Sequence, residues 1–165
     1  MIYKKNPETG EIREYANIDN IGVQASNWPD GTQEEIDCYE LEKVRTEKSK
    51  ELDAYYDSSE LWAFTLKDGQ GNSLTREQDW FLPRITKNIF LTSDEGNKVS
   101  TIIQDPEAIR AELNNIGNVL FEKKSEILIQ IKNAKTITEI NKIDITQEFK
   151  DINKEIVLTE IQSNI

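Results

Sequence analysis

Histidine is absent from these 165 residues, and cysteine occurs once, as Cys38. Without an imidazole there is no Ser-His-Asp or Cys-His relay, no histidine-held zinc, and none of the commonest general base near neutral pH. A single cysteine excludes an intrachain disulfide. Cys38 also lies among Glu34, Glu35, Asp37 and Glu40, neighbours that disfavour the thiolate a nucleophile needs. No Gly-rich phosphate loop or metal-spaced cysteine set occurs. No apolar run approaches the roughly 18 residues of a membrane span, and the Met-Ile-Tyr-Lys-Lys start lacks the apolar core of a secretory leader. These absences predict a soluble cytoplasmic protein that is not an enzyme and carries no cofactor or metal.

Basic residues are also scarce, 20 against 31 acids, for a formal charge of −11. That field repels phosphates, so no direct nucleic-acid partner and no membrane partner is expected. Hydrophobic residues make up 36% and charged residues 31%, which implies a modest core under a large solvated surface. An elongated or oligomeric interaction protein fits this better than a deep-pocketed enzyme.

Three blocks follow from the punctuation. In 1–31, Ile2-Tyr3-Lys4 and Ile12-Arg13-Glu14-Tyr15 flank a Pro7/Gly10 loop and predict a β-hairpin. A loop through "SNWPDG" follows, with Trp28 either anchoring it or serving as a partner-binding hot spot.

The second block, 32–104, is mixed. Thr32-Gln-Glu-Glu35 is a capping box, opening a helix to about Ser58 with a thin stripe of Ile36, Tyr39 or Leu41, Val44, Leu52, Tyr55 and Tyr56. Residues 32–60 carry ten acids and four bases, a strongly acidic balance that reads first as a solvated face. "LWAFTL" (61–66) predicts a strand, and "KDGQGN" a turn. Asp68, Gln70 and Asn72 alternate as in a calcium loop, but Ser73 and Asp79 stand where glycine and glutamate are required, so a tight turn is the better reading. Thr75-Arg-Glu-Gln78 predicts a second capping box, opening a helix over "REQDWFLPRITKNIFLTS" that Pro83 kinks. Trp80, Phe81, Leu82, Ile85, Ile89, Phe90 and Leu91 are its candidate core, and 97–103 a candidate strand.

In the third block, 105–165, Asp105-Pro106-Glu107 is the strongest helix start in the chain. Ile109, Leu113, Ile116, Leu120, Ile127 and Ile131 then recur as a coiled-coil-like seam that skips Lys124. The seam is the candidate partner-binding or homo-oligomer surface, together with Trp28. "IKNAKTITEINKID" (131–144) stops the helix and restarts it, with Thr136 and Thr138 offering capping hydroxyls. A final helix from about Thr146, carrying Phe149, Ile152, Ile156, Leu158 and Ile161, would complete an amphipathic helical hairpin. The expected fold class is therefore α+β, predominantly helical.

Two stretches carry a resemblance. "EKSKELDAYYDSSE" (47–60) resembles a segment of bacteriophage and prophage tail-fibre assembly proteins. "IQIKNAKTITEINKIDI" (129–145) resembles the closing pattern of an uncharacterised phage domain that accompanies them. Together they span roughly residues 40–145. The resemblance implies a chaperone for a tail fibre, or a small tail component, acting on a phage structural protein inside the bacterial host or within the virion. The family has no established catalytic motif to carry over. A structural virion subunit and an acidic inhibitor mimicking nucleic acid stand as alternatives.

Overall fold

The computed structural model describes residues 1–67, 73–77, 88–92, 98–103, 106–157 and 160–161. The fold is mixed α+β, with an N-terminal antiparallel hairpin and a C-terminal helical region.

The hairpin pairs β1 (Ile2–Lys5) with β2 (Ile12–Tyr15), Ile2 opposite Tyr15 and Lys5 opposite Ile12. Its loop is closed by Asn6, whose side-chain oxygen accepts from the amides of Glu8 at 2.8 Å and Thr9 at 3.3 Å. Gly10, with φ +74°, supplies the left-handed residue the loop needs. Residues 29–31 lie along the free edge of β1: the Lys5 amide donates to the Pro29 carbonyl at 2.8 Å and the Gly31 amide to the Tyr3 carbonyl at 3.1 Å. A Cβ on Gly31 would sit 3.1 Å from Ile12 Cδ1 and 3.4 Å from Ile36 Cγ1, so glycine sets how closely the hairpin approaches the first helix.

That helix, α1 (Gln33–Tyr56), opens on the expected capping box: the Glu35 amide donates to Thr32 Oγ1 at 3.3 Å, and the Thr32 amide to Glu35 Oε2 at 2.9 Å. The hairpin is clasped to α1 by polar groups. Tyr3 donates to Glu40, Lys5 pairs with Glu35, and Lys43 reaches Glu14 at 2.7 Å.

After α1 the chain turns through buried Leu61 into β3 (Ala63–Lys67), which pairs antiparallel with β4 (Ser73–Glu77). β5 (Asn88–Thr92) and β6 (Lys98–Ile103) form a second antiparallel pair. At its two described ends, 76–77 and 88–92, the helix expected over 76–93 gives way to strand. Thr75, its supposed cap, lies within β4 opposite Thr65, and 88–92 is extended. The "NIFLT" run is rich in β-branched and aromatic residues, which suit a strand paired with β6. Trp80, Phe81, Leu82, Pro83 and Ile85, like Asp68, Gln70, Asn72 and Asp79 of the calcium-like loop, fall outside the described residues, as does Asp105.

The long helix α2 (Pro106–Asn133) runs antiparallel to α1, with Arg45 reaching Ala134 at one end and Asp53 paired to Lys124 at 2.8 Å at the other. Between them Leu52, Leu61, Leu120, Ile127, Ile131, Ile145 and Phe149 form the core. Each such side chain contributes about 1.5–3 kcal/mol by burial. The lysine that interrupts the seam belongs to this packing: Lys124 Nζ stands 4.4 Å from the Tyr56 ring centroid.

Two short helices follow, α3 (Ile137–Asn141), capped by Thr136, and α4 (Ile145–Phe149), capped by Asp144. The long final helix expected from Thr146 ends at Phe149. Ile156 lies instead in β7 (Glu155–Val157), parallel to β3 with Leu66 opposite Ile156, both buried. Ile161 lies in β8 (Glu160–Ile161), paired with β6. The open edge of β3 offers ladder hydrogen bonds that the amphipathic spacing of 149–161 alone does not reveal. The sheet orders are β4-β3-β7 and β5-β6-β8.

Candidate functional site

The seam expected to meet a partner is consumed inside the chain. Leu113, Leu120, Ile127 and Ile131 are fully buried and Ile109 nearly so, while Ile116 is half-buried against the same core. A coiled-coil-like spacing cannot distinguish a partner helix from an internal one, and here α1 and α4 cover it. Trp28 is half-buried at the hairpin, with the Arg13 guanidinium 5.2 Å from its ring centroid. Neither brings a partner-facing surface together with the other.

The surface that does gather chemistry is an open groove of about 660 Å³ between α1 and the start of α3. Glu34, Asp37, Cys38 and Leu41 recur at i, i+3, i+4 and i+7 and so share one face of α1. Lys135, Thr136 and Ile137 face them, and Glu40 completes the wall. Ile137 keeps 37% of its surface exposed, whereas Ile140, one turn on, is fully buried.

The groove's geometry is fixed from both sides. The Arg45 guanidinium donates to the Ala134 carbonyl, anchoring α1 to the corner after α2. Thr136 Oγ1 accepts from the Glu139 amide at 3.1 Å, and Glu139 Oε2 accepts from the Lys135 amide at 2.6 Å, so the corner is internally braced.

Its electrostatics are uneven. Elsewhere on α1, Glu35, Glu42, Glu51 and Asp53 are ion-paired with Lys5, Arg45, Lys48 and Lys124. Among the described residues, Glu34, Asp37 and Glu40 make no ion pair. Asp37 accepts only from the Gln33 amide at 2.7 Å, and Glu40 only from the Tyr3 phenol. That hydrogen bond, then burial and the Glu40 charge, push the Tyr3 pKa to about 12. The i, i+3, i+4, i+7 spacing was legible in the sequence; the ion-pair pattern that leaves these carboxylates uncompensated was not.

A second hollow, about 420 Å³, is bordered by Tyr55, Asp144, Gln147, Lys150 and Lys154. Two of its polar side chains are engaged in holding the fold. Asp144 accepts from the Gln147 amide at 3.0 Å, and Lys154 Nζ donates to the Leu61 carbonyl at 3.0 Å. Burial lowers the Lys154 pKa, which fits a lysine drawn into structure.

Among the described residues no group of three metal-ligating side chains occurs, and no helix is long and apolar enough to cross a membrane. The chemistry on offer in the first groove is recognition: a small apolar floor under unpaired carboxylates. No family model, curated protein or solved structure matches the chain.

Proposed function

We propose that the protein is an assembly factor for a bacteriophage or prophage tail fibre, acting in the bacterial cytoplasm as a chaperone through protein–protein contact. The observation that carries the contact mode is the braced groove between α1 and α3, with Ile137 exposed beside Glu34 and Asp37, which make no ion pair among the described residues. The sequence resemblance at 47–60 and 129–145 supplies the client, and 129–145 contains the corner that forms one wall of the groove. Fibre proteins are long β-rich trimers whose unpaired edges aggregate while folding, and an acidic partner covering them keeps the complex soluble. The test is coexpression with a tail-fibre protein from the same genome. A rise in soluble fibre and in trimer yield supports the reading, and no change in either refutes it.

A structural tail subunit is the second reading. It is favoured by Phe121 and Ile129, which stand 60% and 57% exposed on α2. Light scattering separates the two: a stable oligomer of the isolated protein supports the subunit, and a monomer supports the chaperone.

A further inference from the structure

We propose that the groove between α1 and α3 takes a basic, amphipathic segment of a partner chain. An apolar side chain of that segment seats against Cys38, Leu41 and Ile137, and its flanking lysines or arginines meet Glu34, Asp37 and Glu40. This rests on the reading that the protein works by protein contact, and it adds the chemistry of what docks.

Three observations converge. First, the apolar floor is unclaimed by the core: Ile137 is exposed although Ile140 of the same short helix is fully buried. Second, Glu34 and Asp37 line the groove without an ion pair among the described residues, Glu40 beside them accepts only a neutral phenol's hydrogen bond, and Lys135 stands opposite. Charge complementarity therefore selects a cationic occupant and rejects an anionic one. Third, both walls are held before any partner arrives, by the Arg45–Ala134 contact and by the Thr136–Glu139 brace, so little ordering is required on binding.

Cys38 provides the readout, since it is the only cysteine in the chain, is exposed, and lines the groove. The probe is a fluorescein-labelled peptide of alternating leucine and lysine, followed by anisotropy, with the rate of Cys38 labelling by a maleimide measured in parallel on the intact protein. Binding is expected, and saturating peptide should slow labelling about tenfold or more. A peptide with serine in place of leucine, and one with glutamate in place of lysine, should each bind at least about tenfold more weakly. The surface variant Ile137→Asp and the double variant Glu34→Lys/Asp37→Lys should lose binding by a similar factor. Glu112→Lys/Glu122→Lys, the same charge change at exposed positions on α2, should not. Far-UV circular dichroism confirms that each variant is folded.

The proposal is overturned if no peptide binds, if the serine peptide binds equally well, if bound peptide leaves Cys38 as reactive as before, or if both double variants weaken binding alike. Cys38 labelling that slows with protein concentration alone would assign the groove to a second copy, which also overturns it. These results are independent of the fibre coexpression. A fibre that does not respond leaves the peptide result standing, and a failed peptide assay removes the groove without deciding the client.

Discussion

Arg45 of α1 donates its guanidinium to the carbonyl of Ala134, just past the last turn of α2, joining points 89 residues apart in the sequence. A cation at this place answers both an orphan carbonyl and the negative end of the α2 dipole. It also sets the spacing of the groove, because Lys135, Thr136 and Ile137 follow Ala134 directly.

Replacing Arg45 by alanine should therefore lower stability by about 1.5–3 kcal/mol, the range for a hydrogen bond involving a charged group. Arg45→Lys should recover part of that loss but not all, because an ammonium cannot hold Glu42 and Ala134 with a planar fork. Urea midpoints of the three proteins at constant m-value check both statements.

The capping box at Thr32 makes a second prediction. Thr32→Ala should cost about 1 kcal/mol, because it leaves the Glu35 amide unanswered. The hydrogen bond from Lys5 and that from the Thr32 amide hold the Glu35 carboxyl below its ordinary 4.5. A depressed carboxylate stabilises the fold above 4.5, and that contribution is lost as pH falls through the lower folded value. Glu35→Gln should accordingly flatten the acid limb of the stability–pH curve, measured by urea titration across that range.

Tyr3 gives the opposite limb. Its phenol, donating to Glu40, ionises only at about 12 instead of 10.0. A raised folded value means that the clasp between hairpin and α1 is fully present below 10.0 and fails as pH climbs through about 12. Ultraviolet titration of tyrosinate should show this late phase, Tyr3→Phe should remove it, and Tyr55→Phe should leave it in place.

How much of this was legible in the sequence depended on whether local signals had competition. The hairpin, the start of α1 and the start of α2 were read correctly, because turn glycine, capping box and proline act within a few residues. At 75–77 and 88–92 the expected helix was a misreading, because Thr75 imitates a cap while the deciding fact is a partner strand elsewhere in the chain. The same holds for Ile156, drawn into β7 by the edge of β3. For the site, the stripe of Glu34, Asp37, Cys38 and Leu41 was visible, but nothing local placed Ile137 opposite it. The seam of α2 was recognised as apolar; that α1 and α4 cover it is a tertiary fact.

That internal role makes a contrast testable on one helix. Leu120→Ala should destabilise by about 2–5 kcal/mol, as expected for a fully buried leucine that leaves a cavity. Ile129→Ala, at a 57% exposed position of the same helix, should stay within about 0.5 kcal/mol. Chemical denaturation of both variants, read by circular dichroism, separates a core seam from a surface one.

The most direct measurement is the soluble, trimeric yield of the tail-fibre protein coexpressed with no partner, with the wild-type chain, or with Glu34→Lys/Asp37→Lys/Ile137→Asp. The account predicts that the wild-type chain raises the yield and that the groove variant, though folded, returns it to the level without partner. A variant that assists as well as the wild type, or a wild type that assists no more than its absence, would contradict it.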